Sequence, residues 1–393
     1  MLNGKHYNPT KIYIGREWLD QIVSENYIRS DRLLIVTGGL GTENSGALAE
    51  VLCVLERINI EYSILDGVQT NPKADLVYKG IEFCREHKST KLLAIGGGSV
   101  VDTAKAIAIG TEYDGDFFDF FVGKSKVNHS LEVGVILTIS GAGSESSDGA
   151  VISKGKLKYP CGSPLMYPKF ALLEPSFTLT VPADIFFAGL VDSISHILER
   201  FFSKTNNTTV SDGLCISLMR TLIEISLQLK VNFLDLEVRK EFMWASKLAH
   251  DGVIGFGRKH DWATHTIAHE VASLFGTNHG QTLAVLFPAW MKWTIEKGDN
   301  ERLKQISLFV FNGDPKLTSF ESAESAVSSY ERFLREMGMP LTLRQLTNRS
   351  DLNLHFDDIA IACSQTTASG TIGNYNRLSS QDVIRILELA EGV

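Results

Sequence analysis

The stretch Asp261-Trp262-Ala263-Thr264-His265-Thr266-Ile267-Ala268-His269-Glu270 puts two histidines four residues apart, and a third follows in Asn278-His279-Gly280. On a helix that spacing sets His265 and His269 on one face, a turn apart. Upstream, Val191-Asp192-Ser193-Ile194-Ser195-His196 gives a carboxylate and an imidazole the same separation. A single histidine on an apolar helix face is usually a packed core residue. Two such pairs plus His279 in one helix-rich half form a ligand pattern, and two helices carrying them can enclose one divalent cation. A zincin-type protease needs Glu directly after its first histidine; Thr266 stands there, so that chemistry is excluded.

A second chemistry-bearing stretch is Gly96-Gly97-Gly98-Ser99-Val100-Val101-Asp102-Thr103-Ala104-Lys105. Three glycines between a strand and a helix let backbone come close to a bulky ligand. The free N–H groups and positive helix end at Ser99 suit a phosphate or pyrophosphate. The spacing is neither Gly-x-Gly-x-x-Gly nor a Walker loop. A hydroxyl-rich loop, Ile139-Ser140-Gly141-Ala142-Gly143-Ser144-Glu145, follows the next apolar run.

The elements that must position these residues change character along the chain. Strand-like runs at 32–37, 61–65, 91–95 and 132–138 alternate with helical periodicity at 47–58 and 74–86, and 156–159 and 169–173 read as late strands of the same domain. That rhythm predicts a parallel sheet covered on both faces, with ligands at the carboxyl ends of its strands. From 184 onward the periodicity is almost only helical, at 185–202, 214–231, 239–250, 262–274, 281–293, 302–311, 322–337 and 380–389. The segment 366–377 reads as a loop. The boundary falls near 180–185, giving an α/β domain over 1–182 and an all-helical domain over 183–393.

At 393 residues the chain has room for two domains, and 44% hydrophobic with 21% charged residues is ordinary for a globular protein. A net charge of −8 leaves no basic footprint, which argues against nucleic acid and anionic membrane as partners. No apolar run is long enough to span a bilayer. Five scattered cysteines without Cys-x-x-Cys spacing fit free thiols in a reduced cytoplasmic setting.

In these residues and their order the chain resembles the iron-type (group III) alcohol dehydrogenases over nearly its whole length. Its Gly-Gly-Gly-Ser-x-x-Asp at 96–102 is similar to that family's pyrophosphate loop. Gly141-Ala142-Gly143-Ser144-Glu145 is similar to its Gly-Thr-Gly-Ser-Glu, with Ala142 replacing the threonine. Asp192 and His196, then His265, His269 and His279-Gly280, resemble its metal and active-site set. Ala263-Thr264-His265 with Leu283-Ala284-Val285-Leu286-Phe287-Pro288-Ala289-Trp290-Met291-Lys292 is similar to the branch of NADPH-dependent butanol dehydrogenases and aldehyde reductases.

The resemblance implies a dehydroquinate synthase-like fold, with a Rossmann-like parallel sheet followed by a helical domain. It assigns Asp192, His196, His265 and His279 to one divalent metal, Fe(II) or Zn(II), and leaves His269 as a non-ligand beside nicotinamide and substrate, the candidate proton relay. It also implies a homodimer. The family often has Val-Thr-Asp after its first long strand, where the aspartate hydrogen-bonds ribose hydroxyls and repels a 2′-phosphate. This chain has Val36-Thr37-Gly38-Gly39, so NADP(H) is expected to be preferred over NAD(H). Lys158 aligns with a family lysine near the cofactor, and Thr138, Ser140, Ser144 and Leu179 are the remaining candidates for the cofactor wall. The expected activity is reversible hydride transfer between NADP(H) and a small alcohol or aldehyde such as butanol or butanal. A pocket offering Trp262, Ile267, Phe256 and Phe275 favours a small, rather apolar substrate over a polyanion. The alternatives are a glycerol-type dehydrogenase or a dehydroquinate synthase-like enzyme on the same scaffold, or a non-catalytic metal- or nucleotide-binding protein.

Overall fold

The computed structural model describes residues 1–18, 21–22, 25–28, 32–155 and 157–392. The polypeptide forms two compact units. One comprises Tyr7–Pro182 and Leu234–Lys247, the other Met1–His6, Ala183–Phe233 and Leu248–Val393. A single cut at 182/183 therefore misses two exchanges. Helix-forming segment Leu234–Lys247, expected in the helical half, belongs with the sheet, and Met1–His6 belongs with the helices. The reason is local bonding. Arg239 is fully buried and donates through Nη1 to the Thr178 carbonyl and hydroxyl oxygens, both at 2.9 Å. Met243 packs with Leu137 and Leu173.

The first unit runs β1 (Lys11–Ile14), β2 (Leu33–Thr37), α1 (Leu40–Asn44), α2 (Ala47–Arg57), β3 (Tyr62–Leu65), α3 (Ala74–Glu86) and β4 (Lys91–Gly96). It continues with α4 (Gly98–Thr111), α5 (Phe118–Phe121), β5 (Glu132–Leu137), β6 (Gly149–Lys154), β7 (Leu157–Gly162) and β8 (Phe170–Leu173). Six strands form one parallel sheet in the order β1-β8-β5-β4-β2-β3. The inner strands β2, β4, β5 and β8 are buried almost throughout because both faces are covered, while the edge strands β1 and β3 are partly exposed. Alternate residues go to opposite faces. Leu34 and Val36 of β2 join Val100, Val101 and Ala104 of α4 in one core, while Leu33 and Ile35 join Val51 and Leu55 of α2 in the other.

The sheet differs from the sequence expectation at two places. β1 has no counterpart in the expected elements and pairs with β8 at the sheet edge. The run at 156–159 does not join the main sheet: β7 pairs antiparallel with β6 as a separate two-stranded ribbon, and Lys156 lies outside the described residues.

The chain passes from β2 outward to β3 and then returns to place β4 on the other side of β2, so connections diverge between β2 and β4. In open α/β sheets that reversal opens the ligand crevice at the carboxyl ends of the two strands. Thr37 is level with Ile95, and Gly96 with Leu137. Gly38-Gly39 and Gly96-Gly97-Gly98 therefore leave adjacent strands at the same height.

The second unit contains α6 (Ala183–Phe201), α7 (Thr209–Val231), the end of α8 (Leu236–His250), α9 (Ala263–Phe275), α10 (His279–Glu296), α11 (Glu301–Phe309), α12 (Ser319–Glu336), α13 (Leu343–Thr347), α14 (Phe356–Gln365) and α15 (Ser380–Glu391). It has no strand among the described residues. Helix α14, which the periodicity reading passes over, buries Phe356, Ile359, Ala360 and Cys363. No helix of the described residues is long and apolar enough to cross a membrane.

Gly38 is a packing requirement in its own right. A Cβ there would lie 2.3 Å from the Val68 amide nitrogen and 2.4 Å from its carbonyl oxygen. Gly38→Ala is expected to destabilise the protein by about 1–3 kcal/mol through overpacking, seen as a lower urea midpoint by circular dichroism. An unchanged midpoint would mean the Val68 backbone yields freely.

Candidate active site

Helix α6 carries Asp192, His196 and Glu199, spaced four and three residues apart and so aligned on one stripe. All three are buried. Helix α9 brings His265 in its first turn, and α10 begins at His279, where the Asn278 side chain accepts from the Gln281 N–H. Gly280 lets α10 touch the backbone of α6, since a Cβ there would lie 2.0 Å from the Ala188 carbonyl oxygen. That contact is one turn from Asp192 and sets His279 beside it.

Three imidazole nitrogens surround one carboxylate oxygen. His196 Nδ1 and His265 Nε2 each lie 3.6 Å from Asp192 Oδ1, and His279 Nε2 lies 3.9 Å away. Those separations are too long for hydrogen bonds. They suit a shared cation: donors about 2.1 Å from a tetrahedral metal stand roughly 3.4 Å apart. Asp192 Oδ1, His196 Nδ1 and His265 Nε2 are buried and make no hydrogen bond, a state that buried polar atoms rarely tolerate unless a ligand completes them. Among the described residues, Asp192, His265 and His279 form a group whose donor atoms all lie within 4.8 Å of one another. His196 stands just outside that triple, its ring 4.7 Å from that of His265 and 4.6 Å from that of His250. His269 is a turn further along α9, partly exposed, with its ring 5.0 Å from that of His279.

The electrostatics follow from burial. Burial raises the Asp192 carboxyl above the usual range, although His265 opposes the shift. Burial holds His196 well below the ordinary imidazole value, helped by His250, His265 and Arg200, which keeps it in the neutral form a metal ligand needs. His265 goes the other way. Burial disfavours its charge, but the flanking Asp192 and Glu199 outweigh that and lift it to about 9.

Sequence reasoning passed over Glu199. It accepts from the Trp262 N–H at 2.6 Å, the Thr264 hydroxyl at 2.7 Å, the His265 N–H at 3.0 Å and His265 Nδ1 at 2.8 Å. Its place on the Asp192–His196 stripe is the signal that could have found it. Of the apolar residues expected near the pocket, Trp262 flanks the site, its ring 5.2 Å from that of His265. Ile267 is instead fully buried core, and Phe256 packs against His6 at the start of the chain. The Arg200 guanidinium lies 4.9 Å from the Trp262 ring, with Nη1 and Nη2 bound to the His196 and His250 carbonyls.

The carboxyl edge of the sheet collects most of the expected cofactor residues. Helix α4 starts after Gly97 with no side-chain cap and no acid in its first turn, leaving N–H groups for an anion near Gly98 and Ser99. The Thr138 N–H donates to the Gly96 carbonyl, and a Cβ on Gly98 would lie 3.0 Å from Ala142 and 3.5 Å from Ser144 Oγ. Ser140 Oγ is buried and makes no hydrogen bond. Gly39 has a positive φ of 77°. Leu179 follows β8 at this edge.

Two more of the expected residues lie at the junction of α4 with the ribbon. Asp102 Oδ2 accepts from the Val151 N–H, tying α4 to the ribbon, and Lys158 sits on that ribbon opposite Ser153. Lys105, fully buried and pushed down to about 8 by burial, donates to Ser147 and Gly149 and closes the same junction.

One chain thus carries a parallel α/β unit with an uncapped helix start and a helical unit in which buried carboxylate and imidazole atoms face one another without hydrogen bonds. The family model for iron-containing alcohol dehydrogenase matches residues 9–175, and that for the Fe-containing alcohol dehydrogenase family, C-terminal, matches 186–390. The chain is 34% identical over 391 residues to the probable NADH-dependent butanol dehydrogenase 1 of Bacillus subtilis, covering 99% of both. It is 32% identical over 351 residues to the NADPH-dependent aldehyde reductase YqhD of Escherichia coli, covering 87% of this chain and 89% of that one. The crystal structure of NADH-dependent butanol dehydrogenase A from Thermotoga maritima superposes with a TM-score of 0.92 at 30% identity, over 100% of this chain and 99% of the other. The protein belongs to the iron-containing alcohol dehydrogenase family. It is an oxidoreductase of the alcohol dehydrogenase or aldehyde reductase kind, and its family implies a divalent metal and a nicotinamide cofactor.

Gly280→Ala is expected to push α10 off α6 and carry His279 from Asp192. Metal retained after dialysis, measured by elemental analysis, should correspond to affinity weakened about 10-fold or more. Wild-type metal content would show that the Gly280 contact does not set the site.

Proposed function

We propose that this protein is a metal-dependent enzyme exchanging a hydride between NADP(H) and a small, rather apolar alcohol or aldehyde such as butanol or butanal. The observation that carries the reading is the buried Asp192 oxygen ringed by three imidazole nitrogens at 3.6–3.9 Å. Asp192, His265 and His279 would hold the metal, with His196 as the fourth ligand. One carboxylate and three imidazoles make a set of intermediate hardness that fits Fe(II) or Zn(II), and the family favours iron. When bound, the metal supplies Lewis-acid polarisation of the substrate oxygen and the nicotinamide gives or takes the hydride.

The chain's own residues supply the rest. Gly96-Gly97-Gly98 and Ser99 offer backbone N–H groups to the cofactor's pyrophosphate, with Thr138, Ser140, Ser144 and Leu179 along the same edge. Lys158 on the ribbon belongs to this set, and the buried Asp102 is a weaker member because its Oδ2 accepts from the Val151 N–H. Gly38 and Gly39 present no carboxylate to a 2′-phosphate, which supports NADP(H). The names of the relatives divide between NADH and NADPH, so the loop itself carries this part of the proposal. Trp262 offers an apolar wall beside His265. His269 holds or releases a proton at its imidazole nitrogen near the substrate, as a relay at neutral pH. A cytoplasmic homodimer completes the proposal; the five free cysteines support the reduced compartment.

NADPH and NADH oxidation with butanal, on protein stripped of metal and reloaded with Fe(II) or Zn(II) separately, tests the reading. Metal-dependent turnover with the higher kcat/KM for NADPH is expected. Turnover with NADH alone would remove the Gly38 argument, and no turnover with either metal would remove the butanol/butanal reading. His269→Ala should lower kcat about 100-fold or more at neutral pH; full turnover would leave His269 as a wall residue.

A further inference from the structure

Glu199 contributes no atom to the Asp192-centred set, yet the polar groups at the start of α9 converge on it. We propose that Glu199 is the positioning residue of the metal centre: by accepting the Nδ1 proton of His265 it fixes the tautomer and ring orientation that point Nε2 at Asp192. This inference rests on the metal-centre reading above.

The geometry carries it. An imidazole whose Nδ1–H is held has its lone pair on Nε2, and a histidine ring tied at one nitrogen has few ways to turn. Here the tie is 2.8 Å long and Nε2 lies 3.6 Å from Asp192 Oδ1. The acceptor is a carboxylate, so the bond is charge-assisted and makes the ring a more electron-rich donor than a carbonyl partner would. Glu199 itself has little freedom, being 1% exposed and bound at both oxygens: Oε1 by the His265 ring, the His265 N–H and the Thr264 hydroxyl, Oε2 by the Trp262 N–H.

The same carboxylate has a second effect that must be separated from the first. Helix α9 lacks a side-chain cap of its own and has no acid in its first turn. Glu199 supplies both the acceptor and the negative charge that a helix start favours. A purely structural Glu199 would stabilise α9 and leave metal binding by the folded protein unchanged. Only one of the four bonds reaches the imidazole ring, which allows the two roles to be told apart.

The experiment is a Co(II) titration of the metal-stripped full-length protein, followed by visible absorption and by competition with a chromogenic chelator, beside thermal unfolding without metal. Glu199→Gln keeps the size and removes the charge. It should weaken Co(II) binding about 10- to 100-fold and alter the visible spectrum. Thr264→Val removes a hydrogen bond to the same carboxylate oxygen and leaves the imidazole bond in place. It should lower the unfolding temperature while Co(II) affinity and spectrum stay close to wild type. If Glu199→Gln does not fold, Glu199→Asp, which withdraws the carboxylate by one methylene, carries the same expectation of weaker binding. Wild-type affinity and spectrum in the Glu199 variant, or an equal loss in Thr264→Val, would overturn the proposal. Wild-type protein that takes up no stoichiometric Co(II), or His279→Ala that binds it as well as wild type, would overturn the metal-centre reading and the proposal with it.

Discussion

The beginning of α9 lies in the protein interior, where its first N–H groups cannot turn to water. The Glu199 carboxylate on α6 meets that demand, and much of the helical unit is arranged around the contact. Trp262 takes a left-handed conformation with φ of 67°, uncommon and strained for a bulky residue, and its N–H is spent on Glu199. The neighbouring Asp261 is buried, and burial beside Glu199 raises its carboxyl to about 7. Its Oδ1 accepts the Asn374 and Tyr375 N–H groups, which draws the late loop of the chain against the same point. Holding the start of α9 in this way also determines where the first-turn residue His265 aims its ring.

Close approach through glycine is the second constraint, and it recurs in both units. Gly280 allows α10 to meet the α6 backbone, and Gly38 allows the turn after β2 to meet Val68. Gly97 and Gly98 leave space filled by Ile139 and Ala142. A glycine-rich motif beside a proposed ligand site thus has two explanations that act together: backbone that would be open to a ligand on one side and backbone pressed against protein on the other. Substituting such a residue tests both at once, which is why stability and binding must be measured on the same variant.

The charged interior of the α/β unit has a comparable logic. Lys105 is fully buried within α4, and its ammonium donates to backbone oxygens of Ser147 and Gly149, while Asp102 accepts from Val151. These bonds keep the ribbon of β6 and β7 attached to the helix whose first turn is the expected anion site. Burial disfavours the charge on both residues, and the hydrogen bonds make it tolerable. The motif residues after the glycines therefore act as a brace for the loop that follows β5.

The amino-acid sequence determined the alternation of strands and helices, the glycine turn after β4, and the helical faces carrying Asp192 with His196 and His265 with His269. All of these rest on spacing within a few residues, where periodicity and turn chemistry act. Its weak points were elements whose reason is distant. β1 is four residues long and exists because it pairs with Phe170–Leu173. β7 left the main sheet because it pairs with β6. Segment Leu234–Lys247 belongs to the sheet unit through Arg239 and Met243. Only the tertiary structure decided that His279 reaches Asp192, that His196 stands just outside the tight triple, and that Glu199 governs His265 across 66 residues of chain. Those outcomes depend on how closely helices approach and on which buried donors meet which acceptors, and neither is encoded in the spacing of any one segment.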